Sequence, residues 1–232
     1  MKVLWCDTET TGLKPENSGA FQVAMLFKHG MDKTKVWQRL FFLNPLDEEK
    51  GILYHEEAYE THGVKKETIE GYAKAAEVMP KIASFFLEYG KGFTDEGKFE
   101  KMFFAGYNPL FDWQHLDELF KRYTEYKMSD FFEPKLLDVL EQVKRATAMG
   151  KLNTVNKKLT TVCKSLEIPL VNAHDAMGDI EATRELAVRL QRIGVPLVLL
   201  ICANLHKFVL TDTINRFIIV LDTRKSIKPN DI

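Results

Sequence analysis

Cysteine, net charge and long apolar runs are all scarce in this chain. Its three cysteines, Cys6, Cys163 and Cys202, stand far apart and form no Cys-x-x-Cys pair. That excludes a disulfide framework and a thiolate zinc site, and points to buried thiols in a reducing compartment. A formal net charge of −1 over 232 residues gives no bulk attraction to a polyanion, so any nucleic-acid binding must come from a local patch. No apolar run reaches membrane-spanning length, no basic leader precedes an apolar stretch, and no repeat or low-complexity segment is visible. A cytoplasmic protein without a membrane partner is expected.

What is present is an ordinary globular composition, 45% hydrophobic and 11% aromatic, enough for one large domain with an appendage. One local patch exists. Residues 121–165 carry ten lysines and arginines against five acids, a pattern that suits a phosphate backbone or, more plainly, a solvated helical face.

Residues 2–6, 19–28 and 34–43 read as three successive strands, rich in Val, Leu, Phe and Trp and separated by turns. His29-Gly30 with Asp32-Lys33 suggests a hairpin between the second and third. A helix is predicted over about 77–89, with Pro80 in its first turn. After a polar loop over 90–101 come a strand at 102–105, a turn at Gly106-Tyr107-Asn108-Pro109 and a helix running to about Tyr123. A strand at 135–140, alone or running into a helix, is followed by helices at 159–166 and 179–191. Three strands in hairpin order followed by alternating helix and strand predict an α/β fold, a mixed sheet covered by helices.

Three clusters carry the chemistry. Asp7-Thr8-Glu9-Thr10-Thr11-Gly12-Leu13 follows the first strand, and side chains two apart on a strand share a face, so Asp7 and Glu9 point the same way. Adjacent carboxylates disfavour joint ionisation, and a hard divalent cation such as Mg²⁺ or Mn²⁺ removes that conflict. A solvated strand end is the plainer alternative. In Asn108-Pro109-Leu110-Phe111-Asp112, Asn108 reads as a helix N-cap and Pro109 as the first helical residue. Asp112 is then a first-turn acid, favoured there by the helix dipole whether or not it binds metal. In His174-Asp175-Ala176-Met177-Gly178-Asp179, five residues separate His174 from Asp179, about 140° around a helix. His174 is therefore placed on the loop before a helix, Asp179 within it, and Asp175 at its cap. Phe111 and Tyr107 are read as core aromatics rather than base-stacking groups, and His29, His55, His115 and His206 receive no role.

Together, Asp-x-Glu-Thr-Thr-Gly, Asn-x-x-x-Asp and His-x-x-x-x-Asp, in this order, resemble the three motifs of the DEDDh exonuclease family. That family includes the epsilon proofreading subunit of DNA polymerase III, exonuclease I and ribonuclease T. Asn44-Pro45, Glu57-Ala58 and His62-Gly63-Val64 resemble the text between the family's motifs, and Asn172-Ala173-His174-Asp175-Ala176-Met177 looks particularly like exonuclease I. The resemblance covers about 1–192 and leaves 193–232 as a C-terminal extension of unknown role.

It implies a ribonuclease H-like mixed five-stranded sheet flanked by helices. It also implies two divalent ions, Mg²⁺ or Mn²⁺, held by Asp7, Glu9, Asp112 and Asp179, with His174 as general base. The implied reaction is 3′–5′ exonucleolytic hydrolysis of single-stranded DNA or DNA 3′ ends, releasing nucleoside 5′-monophosphates, with a DNA polymerase as a partner in trans. RNA 3′ ends are the alternative substrate, and an inactive end-binding module the alternative from another class. Thr10, Thr11, Gly12, Leu13, Glu57, His62 and Asn108 would contact the terminal nucleotide. Gln22 stands where many relatives carry Glu and some carry Gln.

Overall fold

A computed structural model describes residues 2–28, 36–91, 98–170, 174–201 and 217–220; the hairpin turn at His29-Gly30 lies outside them. β1 (Val3–Thr10), β2 (Ala20–Lys28) and β3 (Val36–Phe42) form an antiparallel meander. The short helices α1 (Glu56–His62) and α2 (Lys66–Glu70) follow, then the long α3 (Ala75–Lys91). β4 (Met102–Gly106) pairs parallel with β1 and leads through a turn into α4 (Pro109–Tyr123) and the one-turn α5 (Met128–Phe131). β5 (Phe132–Asp138) pairs parallel with β4 and runs directly into α6 (Val139–Ala148). Then come α7 (Leu159–Ser165), α8 (Ala176–Arg192), β6 (Val198–Ile201) and β7 (Phe217–Val220).

The sheet order is β3-β2-β1-β4-β5-β6-β7. The five strands expected from the sequence form its first part. β6 and β7 extend it antiparallel, so at least these parts of the C-terminal extension join the main sheet.

Alternation along β1 and β2 divides the core. Leu4, Cys6, Val23, Met25 and Phe27 face α3, α4 and α5, in a layer closed by Phe86, Phe104, Phe120 and Phe132. Trp5, Ala24 and Leu26 face the opposite way, onto Val143, Ile180, Leu186 and Leu190 of α6 and α8. The same two-residue period carries past the hydrophobic part of β1. Asp7 and Glu9 follow Trp5 to the α8 face, while Thr8 follows Cys6 to the α4 face. The active end of β1 therefore lies between two helix layers.

The described ends of the 90–101 loop pack at the other end of β1. Lys2 Nζ donates to the Gly90 carbonyl at 2.8 Å and pairs with Glu100 at 3.3 Å. They do not reach the carboxyl end of the sheet.

Candidate active site

A cleft of about 630 Å³ opens at the carboxyl ends of β1 and β4, where α/β sheets place their ligands. It is lined by Asp7, Glu9, Thr10, Gly12, Leu13, Glu57, His62, Asn108, Asp112, His174 and Asp179. Every site residue read from the sequence borders it except Thr11. That threonine is fully buried; its hydroxyl donates to the Leu53 carbonyl at 2.8 Å and accepts from the Gly19 N–H at 3.1 Å. Its role is to close the turn after β1, not to face a ligand.

Asp112 is buried at the start of α4, with its Oδ1 accepting from both the Thr8 N–H, at 2.9 Å, and the Thr8 hydroxyl, at 2.7 Å. These bonds join the second cluster to the first across 104 residues of sequence. Asn108 occupies the cap position but makes no side-chain capping bond, correcting the sequence expectation. Its backbone is left-handed, φ 63° and ψ 50°, and its N–H donates instead to Asp138 Oδ1 at 3.3 Å. Asp138 also caps α6 through the N–H groups of Leu140 and Glu141. The sequence reading missed this buried acid, although an Asp ending an apolar strand before a helix is a recognisable N-cap signal.

On the facing side, His174 precedes α8 with φ 68°, and its N–H donates to Asp179 Oδ2 at 3.3 Å. Ligand atoms of Glu9, His174 and Asp179 all lie within 4.8 Å of one another. Asp175 caps α8, accepting from the Gly178 N–H at 3.3 Å, as expected from the sequence. His62 Nδ1 accepts from the Val64 N–H at 3.0 Å, and its ring meets Phe21 edge-on at 4.7 Å. Burial, then the nearby His174, holds the His62 imidazole below its ordinary pKa, only partly offset by the Thr10 backbone.

Two further histidines enter the site region. His55 lines the cleft, and its ring passes so close to Gly12 that a Cβ there would stand 2.4 Å from His55 Cδ2. Gly12 is thus required by close approach. His115, buried beneath the loop, meets Ser18 Oγ at 3.2 Å and the Phe111 carbonyl at 3.0 Å. Phe111 and Tyr107 are half-buried and line the cleft, and Tyr107 also packs against the core. Tyr107 donates its hydroxyl to the Lys157 carbonyl, bringing that loop to the cleft's edge.

The basic segment divides accordingly. Lys121, Arg122 and Lys144 are held in ion pairs on their own helices, and Lys151 donates to the Ile193 carbonyl. Lys157 and Lys158 are exposed and form no ion pair among the described residues.

Burial dominates the electrostatics, and crowding of like charges adds to it. Desolvation, then Asp112, Asp179, Glu9 and Asp175, pushes the Asp7 carboxyl well above its ordinary pKa. Burial and then Asp179 and Asp112 push Glu9 up to about 8. Burial raises Asp112 to about 7 against the two Thr8 hydrogen bonds, which favour its ionised form. Asp179 is also raised by burial, and its Oδ1 is buried without a partner. An orphaned buried carboxylate oxygen among four mutually repelling acids fits a site for a divalent cation, which would satisfy the oxygen and cancel the repulsion. Glu9 and Asp179 could hold such an ion directly, with Asp7 and Asp112 as further carboxylate ligands and the His174 imidazole close beside it.

Comparison with known proteins shows the family and the fold. The RNase_T exonuclease family profile matches residues 4–187, and no curated protein matches this chain. Among solved structures, exonuclease I superposes with a TM-score of 0.64 at 22% identity, over 83% of this chain and 41% of that one. E. coli exonuclease I in complex with a dA16 oligonucleotide gives 0.65 at 21% identity, over 83% and 41%. The zinc-bound form of the E. coli exonuclease I–single-stranded DNA complex gives 0.66 at 22% identity, over 84% and 41%. The chain spans about two fifths of the length of those proteins, and the likeness establishes the ribonuclease H-like fold. With the profile covering all three motif clusters, the chain belongs to the DEDDh exonuclease family.

Proposed function

We propose that this chain is a metal-dependent 3′–5′ exonuclease that releases nucleoside 5′-monophosphates from DNA 3′ ends. The observation that carries the reading is the convergence of Asp7, Glu9, Asp112, Asp179 and His174, from three distant sequence clusters, on one cleft. Two divalent ions, Mg²⁺ or Mn²⁺, held by the four carboxylates would supply Lewis acidity toward the attacking water and the leaving 3′ oxygen.

The chain's own residues perform the rest. His174, exposed at the cleft mouth, takes a proton from water as the oxygen attacks the terminal phosphorus and the P–O3′ bond breaks. Imidazole suits this work because its ordinary pKa lies near neutral pH. Leu13, 81% exposed at the rim, offers an apolar surface to the terminal base, and Phe111 lines the same cleft. Glu57 and His62 contact the terminal nucleotide from α1. Lys14 in the cleft lining and Lys157 and Lys158 at its edge supply the positive charge that a polyanion needs beside an acidic centre.

The test uses 5′-labelled single-stranded DNA and RNA oligonucleotides with Mg²⁺ or Mn²⁺, with EDTA, and beside Asp7→Ala. A metal-dependent ladder shortening from the 3′ end, absent in the variant, is expected with DNA. Faster trimming of RNA would replace the substrate. Binding without cleavage would leave an end-binding module.

A further inference from the structure

Gln22 lies on β2 directly opposite Glu9 in the antiparallel register and is 7% exposed. Its alternation places it on the α8 face, with Ala24 and Leu26. Both ends of its amide are used there. Nε2 donates to Asp175 Oδ1 at 2.9 Å, and Oε1 accepts from the Ala176 N–H at 3.2 Å. The other oxygen of Asp175 accepts from the Gly178 N–H. One side chain on the sheet thus grips the cap residue and the first residue of α8.

The segment it grips is the one between His174 and Asp179. His174 has a left-handed backbone and a 3.3 Å bond to Asp179; neither feature fixes where the pair stands relative to the sheet. The Gln22 bonds do, because they connect α8 to the strand position beside Glu9. We propose that Gln22 is a positioning residue which, through Asp175 and Ala176, sets His174 and Asp179 over Glu9. The proposal rests on reading the cleft as a nuclease site. It assigns Gln22 no contact with substrate.

Donor and acceptor can be exchanged across this clasp, which gives a specific test. Gln22→Glu alone puts a carboxylate against the Asp175 carboxylate and removes the donor. In the double variant Gln22→Glu/Asp175→Asn, the introduced amide donates to the introduced carboxylate. Its oxygen remains free to accept from the Gly178 N–H, and the carboxylate accepts from the Ala176 N–H. The full chain is assayed with the p-nitrophenyl ester of thymidine 5′-monophosphate and Mn²⁺. Mn²⁺ affinity and exchange of the Ala176 amide are measured in parallel.

Gln22→Glu is expected to lower kcat about 10²-fold with KM within about twofold, and to weaken Mn²⁺ binding about tenfold. The double variant is expected to return both to within a few-fold of the parent. Gln22→Met, which keeps volume but loses both bonds, covers the case in which Gln22→Glu fails to fold; it should also speed Ala176 exchange. Unchanged kcat and Mn²⁺ affinity in Gln22→Met, or no recovery in a folded double variant, would overturn the proposal. If the parent hydrolyses nothing, the nuclease reading fails. Mn²⁺ affinity and Ala176 exchange then decide the clasp alone, unchanged values overturning it and weakened binding with faster exchange upholding it.

Discussion

The two halves of the site are held differently. Asp7, Glu9 and Asp112 stand on β1 and on α4 beside it, where Thr8 grips Asp112 with a backbone and a hydroxyl donor at 2.9 and 2.7 Å. His174 and Asp179 stand at the head of α8, one exposed and one half-buried, joined by a 3.3 Å bond from a left-handed residue. The first half is buried in the sheet and its helix layer; the second stands at the more open head of α8, whose apolar face packs on the sheet and whose head Gln22 bonds. The proposed nuclease chemistry gives a reason for this division: charge-binding groups would have to be fixed, whereas a base that takes and returns a proton needs access to water.

The largest effect should come from the fixed half. Asp112→Ala is expected to lower exonuclease turnover by about 10³-fold or more while leaving the fold intact, since it removes a ligand and relieves carboxylate repulsion. Full activity in that variant, measured on a labelled oligonucleotide, would remove Asp112 from the centre. His174→Ala should slow turnover about 10²–10⁴-fold yet move Mn²⁺ affinity less than Asp179→Asn does. Equal losses of affinity in a Mn²⁺ titration would make His174 a ligand rather than a base and erase the distinction between the halves.

Thr8→Val keeps the backbone donor and the shape but deletes the hydroxyl. A hydrogen bond to a charged group is worth about 1.5–3 kcal/mol, so a loss in kcat of roughly 10- to 100-fold is expected. Because that bond favours the ionised Asp112, the acid limb of the pH–rate profile should also move upward. A profile that stays put would mean that the backbone N–H alone fixes Asp112.

The smallest effect is on stability. Glu9 and Asp112 have folded pKa values of about 8 and about 7, raised from 4.5 and 3.8. Between these limits the folded state keeps protons that the unfolded state has released. Metal-free protein should therefore lose stability as pH rises from about 4 to 8, and Mn²⁺ should flatten that slope. Asp7→Asn should raise the metal-free Tm at pH 8, by about 2–4 °C per kcal/mol of repulsion relieved in a chain of this size. Melting curves in EDTA that are flat across this range would show that the acids do not repel one another as placed.

Much of this was legible in the sequence because its signals are local. The Asp7–Glu9 pair, the Pro109 helix start and the placement of His174 before α8 each follow from a period or a cap rule that needs only neighbouring residues. Residues whose partners lie far along the chain escaped. Thr8 is indistinguishable from any strand threonine until Asp112 arrives from 104 residues away. Gln22 meets Asp175 across 153 residues, and His55 is a cleft wall only because Gly12 lets its ring through. Thr11 erred the other way: it sits inside a functional motif, yet its hydroxyl closes a turn.

The sequence by itself determined the order of the main strands and helices up to α8, the common face of Asp7 and Glu9 and the clustering of acids at element ends, because alternation and capping are properties of short stretches. Only the tertiary structure decided which acid is buried, which oxygen is left without a partner and what ties α8 to the sheet. Burial and hydrogen bonding belong to pairs of residues that the chain brings together only when the sheet and its two helix layers close.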